Sequence, residues 1–257
     1  MCELFGVSSS SPIYLNDLLK EFFSHSVDHP HGWGMAQFYG NSVSVEKEPR
    51  PAFRSAYLKS RLSHVIKADN MLAHIRYATI GSMDYENCHP FVLRDSYDRC
   101  YTLAHNGTMF DCAALSPYQY IQEGCTDSER LLYYIVDRIN SKSKELGREL
   151  SASERFDVID SLVVHESPHN KMNFLLYDSE MMYVHTNFAG SLHSAKIDEA
   201  TVFSTVPLGR HSWTPVKFTT LLAYKNGKLI FTGTTHGNEY IYDEKDTHLL
   251  YLDSAGL

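Results

Sequence analysis

The sequence predicts an α+β protein in which antiparallel sheets are covered on their outer faces by helices. Two observations carry this. Strand-like runs come as neighbouring pairs joined by tight turns, Gly40-Asn41 and Asn226-Gly227 among them, which marks hairpins rather than parallel crossovers. Amphipathic, capped stretches of helical period stand between the strand groups, and after residue 170 the pattern is strands alone. No repeat, low-complexity tract or Pro/Gly linker divides the 257 residues, so one domain over 1–257 is expected.

In chain order, a strand-like run, Cys2-Glu3-Leu4-Phe5-Gly6-Val7, opens the protein. Ser11-Pro12 offers an N-cap and a first-turn proline for a helix over 12–26, with Leu15, Leu18, Leu19, Phe22 and Phe23 on one face. Strand 34–39 turns at Gly40-Asn41 into 42–45, a helix is expected over 53–66, and strands at 70–77 and 100–104. Thr126-Asp127-Ser128-Glu129 has capping-box spacing and starts a helix to about 140; Ser151-Ala152-Ser153-Glu154 repeats it before a helix near 154–165. Strands follow at 172–177, 182–185 and 201–204, then the hairpin of 221–224 and 228–231.

A net charge of −8 argues against nonspecific nucleic-acid binding, which draws on basic patches. The 17 tyrosines are dispersed and read as packing rather than a base-stacking platform. No stretch approaches the roughly 20 apolar residues of a membrane span, and the N-terminus lacks the basic and apolar regions of a secretory signal. Five cysteines without C-x-x-C spacing fit reduced thiols, so a cytoplasmic protein is expected.

Cys2 directly follows the initiator methionine. Removal of Met1 would give one residue both a thiol and a free α-amine, which can act as the thiol's base. Their pKa values, ~7.7–8.0 and about 8.5, make proton exchange between them nearly isoenergetic. The plainer reading is a small buried cysteine. Three further segments put polar groups where elements end. In His74-Ile75-Arg76-Tyr77-Ala78-Thr79, Arg76 could clamp a carboxylate and Thr79 adds a hydroxyl; the alternative is a surface ion pair and a turn. In His105-Asn106-Gly107, the Asn106 amide and a following N–H could form an oxyanion hole, with glycine permitting close approach; the alternative is a turn. Asp127 could receive an ammonium, or simply complement the helix dipole. Together the groups suit a free amino acid with a carboxamide side chain, or a γ-glutamyl group.

Met1-Cys2, His31-Gly32-Trp33-Gly34, His74 to Thr79, Asn87-Cys88-His89-Pro90-Phe91, His105-Asn106-Gly107 and Thr126 to Glu129 occur in an order that resembles the class II glutamine amidotransferases. These are N-terminal nucleophile (Ntn) hydrolases, and the likeness is greatest to a stand-alone bacterial subgroup that includes the ergothioneine-pathway γ-glutamyl amide hydrolases. The motifs span residues 2–140. The resemblance implies a four-layer αββα sandwich. It also implies Cys2 as nucleophile with its own α-amine as base, Asn106 and Gly107 as oxyanion hole, Arg76 and Thr79 at the substrate carboxylate, and Asp127 at its ammonium. Attack on the carboxamide would give a γ-glutamyl thioester, then glutamate and ammonia or amine, with no metal or cofactor. The chain departs from the pattern at His31, where the subgroup often has Asp, and at Ile80, where the glucosamine phosphate synthase branch has His.

With no Walker-type loop and no room for a large synthetase domain, any ammonia acceptor is expected on a partner protein, or is absent. Two other readings compete. One is a non-catalytic Ntn-fold ligand-binding or regulatory subunit of a partner synthetase. The other is metal binding through His25, His29 and His31, which Pro30 and the lack of a nearby cysteine disfavour. Trp33 reads as a core or pocket-wall aromatic, and His89 as a turn or supporting residue.

Overall fold

The computed structural model describes residues 2–110 and 112–242. Met1 and the end of the single domain expected over 1–257 lie outside that range. Among the described residues there are two antiparallel sheets. The first has seven strands in the order β11-β9-β10-β1-β4-β2-β3, and the second six in the order β13-β12-β8-β7-β6-β5. In the first, β1 (Glu3–Tyr14) lies centrally between β10 (Ala200–Ser204) and β4 (Lys67–Ile75), with β2 (Trp33–Tyr39) and β3 (Ser42–Glu48) beyond β4 and β9 (His193–Ile197) and β11 (Trp213–Pro215) beyond β10. The second comprises β5 (Phe91–Arg94), β6 (Cys100–His105), β7 (Phe174–Tyr177), β8 (Met182–His185), β12 (Thr220–Lys225) and β13 (Lys228–Thr235).

Three hydrophobic layers show how the sheets are covered. Helices α1 (Asn16–Ser24) and α2 (Ala56–Ser63) bury Leu18, Leu19, Phe22, Leu58 and Leu62 against Phe5, Val7 and Met71 of the seven-stranded sheet. Helices α3 (Asp127–Leu146) and α4 (Ala152–Glu166) bury Leu131, Ile135, Ile159 and Val163 against Tyr101, Leu103 and Leu176 of the six-stranded sheet. Between the sheets lie Leu4, Ala36, Leu72, Ala104, Leu175 and Val184. This is the expected four-layer αββα sandwich, because both sheets are apolar on both faces and each needs a cover on each side.

The hairpins stand where the turns predict them. Asn226 (φ 53) and Gly227 (φ 71) both occupy the left-handed region that a two-residue turn requires. Three boundaries differ. Ser11-Pro12 does not start a helix: β1 continues to Tyr14, and Pro12 falls in the stretch where its register with β4 shifts between Ser8 and Ile13. Proline is tolerated at such an irregularity because no ladder N–H is needed there. Helix α1 therefore begins at Asn16. The helix expected over 53–66 is a 3-10 turn at Ala52–Arg54 followed by α2, capped by Ser55, whose hydroxyl accepts from Leu58 N. Helix α3 runs past 140 to Leu146 and ends on Gly147 in the left-handed conformation. The Ser151–Glu154 capping box is complete, whereas Glu129 accepts from Glu123 and Gly124 N instead of returning to its own cap.

Candidate active site

The site is assembled by strand alternation. Leu4 and Gly6 of β1, Leu72 of β4, Ala104 of β6 and Leu175 of β7 face the inter-sheet layer; Gly6 packs on the Leu175 side chain. Side chains two residues apart share a face. Stepping from these residues to one end of the sandwich puts Cys2, His74, Arg76, Asn106, Asn173 and Lys171 on that same face. One step beyond the Glu3–Ile75 pair, Cys2 stands across from Arg76.

Cys2 is half-buried at the mouth of this layer. Its sulfur lies 3.4 Å from the Tyr77 carbonyl, to which the thiol donates, and accepts from Tyr77 N at 3.3 Å. Burial pushes the thiol pKa up. The Tyr77 N–H and the positive charges of the amino terminus, Lys171 and Arg76 pull it back down.

Arg76 is buried, and both of its terminal nitrogens are engaged. Nη1 donates to Ser82 O at 2.8 Å, and Nη2 to Ile80 O at 2.9 Å and Gly81 O at 3.2 Å. The guanidinium thus orders the 80–82 loop. Gly81 has φ +82, a conformation that side chains with a Cβ rarely adopt. Thr79 is exposed beside the same loop, and among the described residues its hydroxyl makes no hydrogen bond. His31 accepts from Ala78 N at 2.9 Å and so steadies the start of this loop.

Asn106 and Gly107 follow β6. Asn106 N donates to Asn173 O at 2.8 Å, and Asn173 Nδ2 to Asn106 O at 3.1 Å, which fixes the backbone. The Asn106 side-chain amide has no hydrogen-bond partner among the described residues. Gly107 sits beneath the Lys171 carbonyl and the His105 ring, where a Cβ would overlap both. Thr108 and Lys171 then exchange two backbone bonds of 3.0 Å, an antiparallel bridge in register with the β6–β7 ladder.

Asp127 is the first residue of α3 and is buried. Its Oδ2 accepts from Met109 N at 2.8 Å, which ties the helix start to the segment after Gly107. Asn87 links the remaining parts: its Nδ2 donates to Ser82 O at 3.1 Å and its Oδ1 accepts from Cys125 N at 2.8 Å. Trp33 is a core residue whose indole donates to Glu48. His74 and His89 pack with ring centroids 4.1 Å apart and planes tilted by 36°; burial lowers both, His74 to about 3, so both are neutral.

Lys171 was not singled out from sequence, and His105 entered only as part of the His105-Asn106-Gly107 motif, without a role of its own. His105 donates from Nε2 to Lys171 O at 3.1 Å, which leaves Nδ1 to accept from Ser128 at 2.9 Å. Lys171 is buried beside the Asn106-Gly107 turn, and burial pushes its ammonium down to about 8. The one signal for Lys171 is its place two residues before Asn173 and four before Leu175 on an inward face. Of the histidines weighed as metal ligands, His25 and His29 turn to the Glu3 carboxylate, at 2.9 and 3.8 Å, while His31 faces Ala78. Among the described residues no helix is long and apolar enough to cross a membrane.

The fold is shared with solved glutamine amidotransferases, and comparison with known proteins identifies the family. The family model for class II glutamine amidotransferases matches residues 1–197. The Escherichia coli protein named "Putative glutamine amidotransferase YafJ" is 30% identical over 210 residues, covering 79% of this chain and 80% of its own. The chain belongs to the class II glutamine amidotransferases. Two solved structures share the fold. A glutamine amidotransferase, so predicted, from Pseudomonas aeruginosa has a TM-score of 0.64 at 20% identity, covering 90% of this chain and 100% of that one. Glutamine PRPP amidotransferase from B. subtilis has a TM-score of 0.67 at 18% identity, covering 91% of this chain and 49% of that one.

Proposed function

We propose that the protein hydrolyses the side-chain carboxamide of glutamine or of a γ-glutamyl amide, with Cys2 as nucleophile once Met1 has been removed. The Cys2 α-amine takes the thiol proton and the sulfur adds to the amide carbon. Asn106 and Gly107 donate to the resulting oxyanion. Collapse breaks the C–N bond, the protonated α-amine returns its proton to the departing ammonia or amine, and a γ-glutamyl thioester remains. Water then adds to the thioester and the C–S bond breaks, giving glutamate and the free thiol. Arg76 with the 79–82 loop receives the substrate α-carboxylate, and Asp127 its α-ammonium. The ammonia is released or passed to a partner protein.

The observation that carries this reading is the convergence of Cys2, Arg76 and Asn106 on one face at one end of the inter-sheet layer, with Asp127 bonded to the segment after Gly107. The test uses protein whose intact mass shows that Met1 is gone. Wild type should release glutamate from glutamine or from members of a γ-glutamyl amide panel, and 6-diazo-5-oxonorleucine should label Cys2. Cys2→Ala should do neither. Processed wild-type protein that turns over no member of the panel and takes no label at Cys2 would leave a non-catalytic subunit as the reading.

A further inference from the structure

Lys171 stands at the end of the inter-sheet layer in a frame more rigid than a surface lysine needs. Its carbonyl accepts from Thr108 N at 3.0 Å and from His105 Nε2 at 3.1 Å, and its N–H donates to Thr108 O. Both chain neighbours are held by one side chain: Asn187 accepts from Met172 N at 2.8 Å and donates to Asn170 O at 2.9 Å. The bridge to Thr108 keeps the register of the β6–β7 ladder, so Lys171 shares its face with Asn173 and Leu175. That face meets β1 at Gly6, which packs on Leu175. Four residues back along each strand stand Cys2 and Lys171. The Lys171 side chain is 6% exposed, with Nζ 4.8 Å above the Phe188 ring. A buried ammonium is costly to hold, and such groups concentrate where a charge is used.

We propose that Lys171 is a positioning residue for Cys2: across the inter-sheet layer, its ammonium favours the thiolate over the thiol. This rests on the reading of Cys2 as nucleophile. The two groups feel each other's charge in both directions, Lys171 lowering Cys2 and Cys2 raising Lys171. Among the described residues, the other charged or titratable groups around the pair are His74 and Arg76 from β4 and its end, and His105, which is itself influenced by Asp127; the amino terminus also acts on the thiol. Burial lowers His105 and His74, and among the described residues on the six-stranded-sheet side Lys171 is a cation that acts on the thiol. A nearby cation lowers a thiol's pKa, so its removal raises it, by about 1–3 units for an opposite charge at short range.

The experiment follows alkylation of Cys2 by iodoacetamide against pH, read by peptide mass spectrometry on Met1-processed protein. It compares wild type with Lys171→Met, Lys171→Gln and Lys171→Arg. We expect the Met and Gln variants to shift the half-point up by about one pH unit or more and to slow labelling near pH 7 about tenfold. The Arg variant should stay close to wild type. Profiles for Met and Gln that match wild type overturn the proposal, as does an Arg variant as slow as Met, which would mean shape rather than charge. Buried Cys88 reports the fold in the same spectra. If it becomes labelled in the Met variant, the comparison of Gln with Arg decides, and equal profiles refute the proposal. Alkylation needs no substrate, so a protein without amidase turnover can still give this result.

Discussion

Gly107→Ala tests the geometry most directly, because the structure assigns it two separable costs. A methyl at this position overlaps the Lys171 carbonyl oxygen and comes within 2.9 Å of His105 Cε1. The neighbour on one side is backbone, which cannot rotate away, so the Thr108–Lys171 bridge has to open. Three hydrogen bonds meet there: the two of 3.0 Å between Thr108 and Lys171, and the 3.1 Å bond from His105. At about 0.5–1.5 kcal/mol each, their loss destabilises the fold by roughly 1.5–4.5 kcal/mol. For a chain of this size that is a Tm lower by about 3–18 °C. The same movement displaces the backbone donor of the proposed oxyanion hole, which costs about 10²–10³ in kcat. Asn106→Ala separates the two effects. Its amide has no partner to lose, so Tm should move by only about 2–3 °C while kcat falls by a similar 10²–10³. Thermal melts and glutamate release measure both quantities. Wild-type Tm and kcat in Gly107→Ala would refute the packing and the oxyanion assignment together, and a lowered Tm with unchanged kcat would refute the assignment alone.

Two other outcomes follow from particular contacts. Asp127→Asn retains an oxygen that can accept from Met109 N but loses the charge proposed to meet the substrate ammonium. KM for glutamine should rise about 10–100-fold with stability changed by less than about 1 kcal/mol; an unchanged KM would count against the assignment. Acid should destabilise the fold through buried neutral histidines. Burial holds His74 and His185 at about 3, below the ~6.5 of an unfolded histidine, so their contribution is complete above pH 6.5 and is lost as pH falls toward 3. At pH 5 each histidine costs about 2 kcal/mol, and a urea midpoint that stays flat from pH 7 to 5 would contradict it.

The strands that the sequence reveals are the ones whose turns have a steric requirement or whose apolar run is long, such as β2–β3 and β12–β13. The strands it hides are short or polar. Edge strands β5 and β11 have four and three residues, and β9 reads His-Ser-Ala-Lys-Ile, so none offers an alternation to detect. Pro12 misleads for another reason. Ser-Pro is locally a sound helix start, but β4 pairs with Ile13 and Tyr14 beyond it, and that tertiary pairing carries the strand through. At α3 the residues 141–145 are charged or polar, so the helical period fades before Gly147 ends the helix. Cys2, Arg76, Asn106 and Asp127 were legible because each stands at an element end in a spacing with a chemical meaning. Lys171 was not, because its significance depends on which face of a strand it occupies, and that is set by the packing of Gly6 on Leu175.

An amino acid carries its carboxylate and ammonium on one carbon, so the groups that receive them have to be held at a fixed separation. Arg76 lies at the end of β4 and Asp127 at the start of α3, on opposite sheets, and nothing in their sequence separation secures that distance. Asn87 does. Its amide nitrogen holds Ser82 O, which is also an acceptor of Arg76 Nη1, and its amide oxygen holds Cys125 N, two residues before Asp127. Gly124 allows this approach, since a Cβ there would press on the Asn87 amide. The buried Asn87 thus joins the loop around the guanidinium to the first turn of α3 through two hydrogen bonds that require both ends of a carboxamide. Aspartate has no donor for Ser82 O, and leucine has neither bond. In the proposed function, the recognition of a free α-amino acid end therefore depends on Asn87 as much as on the two charged residues it connects.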